Sequence, residues 1–159
     1  MTEGATAIPE VQQLLRALAA GRDVAETGAA YGETAAVMAE TARSVVTVEL
    51  DPERAAIARD RLAGLTNVEV LEGDVYEQLD GRGPFGLVFA DGGHPVDHWD
   101  WVLDRVEPGG LIVKDDLWPG RPIEGDRTRE TMLRDPRLAA VEILATPDMA
   151  VIVAAKLPG

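Results

Sequence analysis

A valine-rich run that is apolar on both faces is the feature that most restricts the fold of this 159-residue chain. Residues 44–50 read SVVTVEL, and such a strand is typical of a parallel sheet whose two faces are both covered by helices. Helical segments and further short strands alternate around it, as they do in the α/β class. We therefore predict a Rossmann-like three-layer sandwich, in which ligands bind beyond the carboxyl ends of the strands.

The other segments complete this pattern. Apolar periodicity and the residues that favour helix ends predict helices at 11–20, 34–42, 52–62, 75–79, 97–106 and 126–133. Short apolar runs predict strands at 24–27, 44–50, 68–71, 85–90, 111–114, 141–144 and 150–155. The last two flank a turn at Pro147 and Asp148, which indicates an antiparallel hairpin. The prediction is a mostly parallel seven-stranded sheet with a C-terminal antiparallel hairpin.

The composition of the chain limits the kinds of molecule that it can bind. The length suits one domain spanning residues 1–159, and a net charge of −13 opposes binding to a phosphate backbone, so we expect no nucleic-acid substrate. The chain has no cysteine, which excludes a thiolate nucleophile and a thiolate zinc site. Residues 1–10 lack the features of a signal peptide, and no apolar run approaches the roughly 20 residues of a membrane span. We expect a cytoplasmic protein with no membrane partner.

The turn between the first strand and the next helix indicates a nucleoside site. Residues 26–32 (ETGAAYG) place Gly28 and Gly32 where the backbone can approach a ligand, and Glu49 ends the second strand, where a carboxylate can accept both ribose hydroxyls. Asp74 follows the third strand and is placed to face an adenine amino group. A dinucleotide motif needs glycines where this turn has Ala30 and Glu33, and the carboxylates of Glu26 and Glu33 favour a cationic sulfonium over a pyrophosphate. The simpler alternative is an ordinary turn beside a solvated carboxylate.

These motifs give the chain a family resemblance. With VELD at 48–51, EGD at 72–74, FGLVFAD at 85–91 and PGGLIVKDD at 108–116, it resembles the class I S-adenosylmethionine-dependent methyltransferases. Within that class it is most similar to the catechol-type O-methyltransferases and their bacterial relatives. The resemblance implies S-adenosylmethionine as cofactor. It also implies a cofactor-binding set of Glu26, Gly28, Ala29, Tyr31, Gly32, Thr34, Glu49, Leu50, Asp74, Val75 and Asp91.

Three carboxylates follow neighbouring strands of the predicted sheet. Asp91 ends the fourth strand and Asp115 with Asp116 ends the fifth, so a parallel sheet would bring them to one rim. Crowded carboxylates favour a neutralising cation, and all-oxygen ligands suit Mg²⁺, Mn²⁺ or Ca²⁺. The resembled family has Asp, then Asp-Asn, as metal ligands, and here Asp116 replaces the Asn. In the alternative, Asp91 holds the cofactor's amino group while Asp115 and Asp116 are loop or cap carboxylates.

His94 is the candidate catalytic base. It lies three residues after Asp91, where catechol-type relatives place a lysine that deprotonates the acceptor hydroxyl. Histidine can do this near pH 7 without a large change in its pKa. In the same interpretation the substrate oxygen is held beside Asp91 and attacks the sulfonium methyl in line. The alternative is a loop histidine that bonds the backbone.

These observations predict an S-adenosylmethionine-dependent methyltransferase that methylates a hydroxyl of a small-molecule acceptor. His94 or a divalent cation such as Mg²⁺ would generate the attacking oxyanion. A homodimer is compatible with the resemblance. Two alternatives stay open, which are a noncatalytic nucleoside-binding module and an NAD-binding oxidoreductase that the missing glycines oppose.

Overall fold

A seven-stranded sheet forms the centre of the computed structural model, which describes residues 6–159. Residues 1–5, part of the segment in which we expect no targeting signal, lie outside the described residues. The strands are β1 (Asp23–Thr27), β2 (Ser44–Glu49), β3 (Val68–Glu72), β4 (Phe85–Ala90), β5 (Val106–Leu117), β6 (Leu138–Thr146) and β7 (Met149–Lys156). The helices are α1 (Pro9–Ala19), α2 (Glu33–Ala39), α3 (Pro52–Leu62), α4 (Val75–Gln78), α5 (Trp99–Asp104) and α6 (Arg127–Arg134).

The strand order is β3-β2-β1-β4-β5-β7-β6. The first five of these strands pair in parallel, whereas β7 lies antiparallel between β5 and β6. The predicted parallel sheet and C-terminal antiparallel hairpin are therefore confirmed. The order reverses between β1 and β4, and the carboxyl ends of these two strands border the crevice where open α/β sheets bind ligands.

Helices cover both faces of the sheet, as two successive residues of β1 show. Val24 belongs to a buried cluster with residues of α1, α2 and α3, and Ala25 belongs to a second cluster with residues of α4, α5 and α6. Successive strand residues point to opposite faces, so the two clusters are the two apolar layers of the predicted sandwich. Within residues 6–159, no helix combines the length and apolar character needed to cross a bilayer.

Aspartates fix where two of the helices begin. The Asp51 side chain accepts hydrogen bonds from the amides of Glu53 and Arg54 and caps α3, as expected for Asp followed by Pro. Asp74 caps α4 in the same way. Both caps lie directly after strands, and they hold the turns that follow β2 and β3 beside the crevice.

The helix predicted at residues 97–106 is the clearest local difference from the sequence prediction. A 3-10 helix at Pro95–His98 precedes a shorter α5, which ends at Asp104. The chain enters the 3-10 helix through His94, whose φ of +50° is left-handed. The proline at the first helical position fits the observed start better than a start at residue 97.

Strand β5 is longer than the predicted run of residues 111–114. Pairing extends towards the amino end, where Val106 pairs with Phe85, and towards the carboxyl end, where Leu117 pairs with Ala150. The pairing with β7 shifts register between Lys114 and Leu117. Asp115 and Asp116 therefore lie within the strand at a β-bulge instead of following its end.

One buried arginine links the C-terminal hairpin of β6 and β7 to helix α6 and to the segment that follows β5. Arg129 on α6 is 1% exposed and donates to both carboxylate oxygens of Glu142 on β6, at 2.8 and 2.7 Å. It also donates to the Asp126 carboxylate at 2.6 Å and to the Trp118 carbonyl oxygen at 2.7 Å. This single side chain thus joins α6, β6 and the segment that follows β5.

We expect Arg129→Ala to lower the free energy of unfolding by about 3 kcal/mol, because it leaves shielded carboxylates without their counter-charge. Arg16 is the control, since it pairs with Glu40 and the two side chains are 44% and 55% exposed. Arg16→Ala should cost about 1 kcal/mol or less. Urea unfolding followed by tryptophan fluorescence measures both losses, and equal losses would contradict the role given to Arg129.

Candidate functional site

A cleft of about 260 Å³ opens at the carboxyl ends of β1 to β4, at the point where the strand order reverses. Its walls come from the loops that follow these strands. Six residues of the predicted cofactor set line it, namely Gly28, Glu49, Leu50, Asp74, Val75 and Asp91. The crevice expected from topology and the residues expected from motifs therefore meet in one place.

The Glu49 carboxylate is held in place by backbone amides. One of its oxygens accepts a hydrogen bond from the Ala30 amide at 2.7 Å, and the other accepts from the Asp51 amide at 3.0 Å. A carboxylate oxygen has two lone pairs, so each keeps acceptor capacity. Glu49 is only 7% exposed, but it lines the cleft. The side chain is thus fixed and able to accept two further donors.

The loops after β1 and β4 touch at the floor of the cleft. The Gly92 amide donates to the Thr27 carbonyl oxygen at 2.5 Å, and the Thr27 hydroxyl donates to the Gly92 carbonyl oxygen at 2.8 Å. A Cβ at Gly28 would lie 3.2 Å from the Gly92 nitrogen, and Gly28 has a φ of +95°. Glycine is therefore needed at position 28 for the contact between loops as well as for its backbone conformation.

The other members of the predicted cofactor set are not among the residues that line the cleft. They are Glu26, Ala29, Tyr31, Gly32 and Thr34, of which all but Tyr31 are buried. Gly32, with a φ of +81°, is the residue from which α2 starts. The Arg54 guanidinium lies 5.8 Å from the centre of the Tyr31 ring. These residues shape the turn, and a direct contact between them and a cofactor stays a prediction.

Sequence reasoning did not single out half of the cleft lining. The additional residues are Ala30, Val48, Arg54, Gly73, Gly92 and Gly93. Most of them are direct sequence neighbours of predicted residues, so the same motifs could have indicated them. Arg54 had no such signal, because it is brought to the cleft by the first turn of α3.

Glu26 is a carboxyl group inside the sheet. It is 1% exposed and accepts a hydrogen bond from the Thr47 hydroxyl at 2.5 Å. Burial raises the pKa of Glu26 to about 8, with smaller contributions from Asp91 and other nearby carboxylates. Glu26 therefore holds its proton at neutral pH. Its negative charge, which entered the sequence argument against a pyrophosphate, does not contribute there.

Asp91, Asp115 and Asp116 converge as predicted. One carboxylate oxygen from each lies within 4.8 Å of the others. Asp115 is 2% exposed, and its Oδ1 has no hydrogen-bond partner within the described part of the chain. Burial, and then the neighbouring carboxylates, raises the pKa of Asp115 to about 7. Burial also raises the pKa of Asp91.

A lysine ammonium lies against the same carboxylates. Lys114 Nζ is 3.9 Å from Asp91 Oδ1 and 3.8 Å from Asp115 Oδ1, and it donates to the Asp115 carbonyl oxygen at 3.0 Å. Its charge offsets part of the rise in the pKa of both carboxyls. The oxygen donors suit a hard divalent cation, whereas an ammonium beside two of the three does not. The sequence analysis gave Lys114 no role, and in a regular strand residues 114 and 115 would point to opposite faces.

A second cavity, of about 350 Å³, adjoins the cleft. Asp91, Gly92 and Gly93 line both cavities, and His94 and Lys114 line the second. His94 is exposed. The structure thus brings the predicted base to a cavity that shares Asp91 with the cleft, and its role as a base stays a prediction.

Comparison with known sequences agrees with this geometry. The model of a family described as a methyltransferase domain matches residues 25–117. A protein-L-isoaspartate O-methyltransferase from Rhodopseudomonas palustris is 34% identical over 122 residues, which cover 76% of this chain and 52% of that protein. The chain spans about half the length of the curated relatives it matches.

Solved structures share the fold. Cofactor-bound Rv0187 from MTB aligns with a TM-score of 0.78 and 25% identity, over 96% of this chain and 82% of that one. An O-methyltransferase from Bacillus cereus in complex with SAH aligns with a TM-score of 0.75 and 21% identity, over 96% of this chain and 84% of that one. At the latter identity the likeness concerns the fold alone.

Glu26 makes the stability of the protein depend on pH. Its pKa rises from 4.5 to about 8 on folding, so its contribution is complete below about pH 4.5 and is lost as the pH rises through 8. Glu26→Gln keeps a neutral side chain at every pH. We expect the variant to match wild type near pH 5 and to exceed it by roughly 4 kcal/mol near pH 8.5, since each pKa unit corresponds to about 1.4 kcal/mol.

Urea unfolding of both proteins at pH 5, 7 and 8.5 measures this difference. Asp115, whose pKa is raised to about 7, also makes the stability depend on pH, so the test compares the two proteins at each pH and does not use the slope of either alone. The same pH dependence in the two proteins would show that Glu26 is ionised in the folded state.

Proposed function

The chain belongs to the methyltransferase domain family, and we propose that it transfers the methyl group of S-adenosylmethionine to a carboxyl oxygen of a protein. The observation that carries this proposal is the cleft at the reversal of strand order, lined by Glu49, Asp74 and Asp91. Their carboxylates attract the sulfonium and ammonium groups of S-adenosylmethionine and repel the pyrophosphate of NAD. The charge argument therefore stands without Glu26.

Three carboxylates divide the cofactor between them in this proposal. Glu49 accepts the two ribose hydroxyls with the lone pairs that its backbone amides leave free. Asp74 uses Oδ1 to cap α4, and its other oxygen is left for the adenine amino group. Asp91, which lines both cavities, takes the ammonium group with Oδ2, because its Oδ1 faces the Lys114 ammonium. Gly28 keeps the floor of the cleft clear of side-chain atoms.

The expectation of a small-molecule acceptor is wrong, because curated relatives carry names that specify protein L-isoaspartate methylation. The motifs that gave the family resemblance lie around the cofactor cleft, and they do not describe the acceptor. The open rim of the site supports a larger acceptor. His94 and Asp116 are exposed there, and Trp118, which follows β5, is 66% exposed.

A carboxylate acceptor needs less catalytic assistance from the protein than a hydroxyl does. It is already ionised at neutral pH, so no proton has to move in the reaction. One of its oxygens attacks the methyl carbon, the new carbon–oxygen bond forms as the carbon–sulfur bond breaks, and the sulfur leaves as a neutral thioether. The protein contributes by holding the two reactants in line. This reaction does not use His94 as a base.

Cofactor binding provides the first test. Glu49→Gln should weaken the binding of S-adenosylhomocysteine at least tenfold, or by about 1.4 kcal/mol, because the amide offers the ribose one acceptor instead of two. Glu72→Gln is the matched control, since Glu72 pairs with Glu49 in register on β3 and forms an exposed ion pair with Arg59. Isothermal titration measures both variants. Binding of NAD in preference to S-adenosylhomocysteine would instead support the oxidoreductase alternative.

Methyl transfer provides the second test. We expect tritium from methyl-labelled S-adenosylmethionine to enter a peptide that contains L-isoaspartate, and not the same peptide with ordinary aspartate. A carboxyl methyl ester releases its label as methanol in mild alkali, whereas a methyl ether or methylamine keeps it. Cofactor binding without transfer to any polypeptide would favour the noncatalytic module. Label that is stable to alkali would exclude a carboxyl acceptor.

A further inference from the structure

The group of Asp91, Asp115 and Asp116 has a positive charge of its own close by. We infer that the Lys114 ammonium is the resident cation of this acidic cluster and that it keeps divalent metal ions out. This replaces the metal-binding alternative that the sequence left open. It depends on contacts among four side chains and not on the identity of the methyl acceptor.

The ammonium is held by a backbone group as well as by charge. Lys114 Nζ donates to the Asp115 carbonyl oxygen at 3.0 Å, while Asp91 Oδ1 and Asp115 Oδ1 lie at 3.9 and 3.8 Å. The Lys114 side chain is 16% exposed and the Asp115 side chain 3% exposed, so water screens their attraction only weakly. The lysine is therefore fixed between two carboxylates of the cluster.

The bulge in β5 explains how neighbouring residues reach one cluster. Lys114 pairs with Ile152 of β7 and Leu117 pairs with Ala150. Three residue steps along β5 therefore correspond to two along β7. The extra residue interrupts the alternation of faces in the strand. Asp116 has a φ of +61° in this interval. The bulge thus lets Lys114 and Asp115 both approach Asp91, which a regular strand would prevent.

A metal ion would have to compete with this lysine. A divalent ion needs several oxygens at about 2.0 to 2.6 Å, and two of the three carboxylates available here already neighbour an ammonium. The ion and the ammonium have charges of the same sign, and they repel one another strongly in a shielded site. Removing the charge of Lys114 should therefore open the cluster to metal.

Titration with Mn²⁺ alone, in the absence of cofactor and acceptor, tests this inference. We expect wild type to show no binding below about 1 mM, and Lys114→Met to bind Mn²⁺ at least tenfold more tightly, which is about 1.4 kcal/mol. Lys114→Arg keeps the positive charge, so we expect this variant to bind Mn²⁺ as weakly as wild type does. Lys156→Met is the matched control, because Lys156 is another partly buried lysine whose Nζ donates to the carbonyls of Leu103 and Val106.

Two outcomes would overturn the inference. Wild type that binds Mn²⁺ well below 1 mM at this cluster, with binding abolished by Asp115→Asn, would show that the lysine does not exclude metal. Folded Lys114→Met with the weak affinity of wild type would show that the lysine is not what closes the cluster. If Lys114→Met does not fold, Lys114→Gln removes the same charge and retains a polar side chain. A failed methyl-transfer assay would leave these results unaffected.

Discussion

Three consecutive amides after β1 fix the geometry on which the rest of the site depends. The amides of Gly28 and Ala29 both donate to the Val48 carbonyl oxygen at 2.9 Å, and the Ala30 amide donates to the Glu49 carboxylate. The chain has to turn sharply to point three successive amides at one strand end, and Ala30 accordingly has a φ of +47°. This conformation costs an alanine about 1 kcal/mol or more, and the three hydrogen bonds offset that cost.

The same constraint organises the cleft. It joins the end of β1 to the end of β2, and it orients Glu49 before any ligand arrives. It also sets Gly28 against Gly92, so the loop after β4 is placed relative to the loop after β1. A preorganised site loses little conformational entropy when it binds a ligand. The cofactor half of the molecule is therefore built on backbone contacts more than on side-chain chemistry.

Crowding of carboxyl groups at one edge of the sheet is resolved in three different ways. Glu26 is buried and keeps its proton. Glu49 lines the cleft, where two backbone amides donate hydrogen bonds to its carboxylate oxygens. Asp91 and Asp115 have the ammonium of Lys114 between them. Each solution offsets the same cost, since burial disfavours the charged form of a carboxyl group.

Much of the fold and the cofactor cleft could be predicted from the sequence because local rules decide them. An apolar run such as residues 44–50, a helix start such as Asp51 before Pro52, and glycines in the first turn each report a physical requirement of the chain itself. The carboxyl ends of parallel strands meet at one edge of the sheet. The sequence alone therefore predicted that Glu49, Asp74 and Asp91 lie close together.

The rest could not be predicted because it depends on contacts between distant segments. The period of a regular strand separates Lys114 from Asp115, and only the bulge against β7 brings both to Asp91. Arg129 lies in a run of mixed charges that resembles a solvated surface, but its burial follows from Glu142 on another strand. The acceptor is a further case, since residues of the cofactor cleft do not specify what enters the second cavity.

The geometry of the acidic cluster consequently depends on the C-terminal hairpin. The bulge that presents Lys114 and Asp115 exists only because β5 pairs with β7, and β7 pairs in turn with β6. Arg129 holds β6 through Glu142, and it holds the chain just beyond β5 through the Trp118 carbonyl oxygen. A change in this buried arginine would therefore reach the cluster through the register of β5, although no atom of Arg129 lines either cavity. The hairpin lies beyond the segment that matches the family, residues 25–117, and it still helps to set the geometry of that segment's last strand.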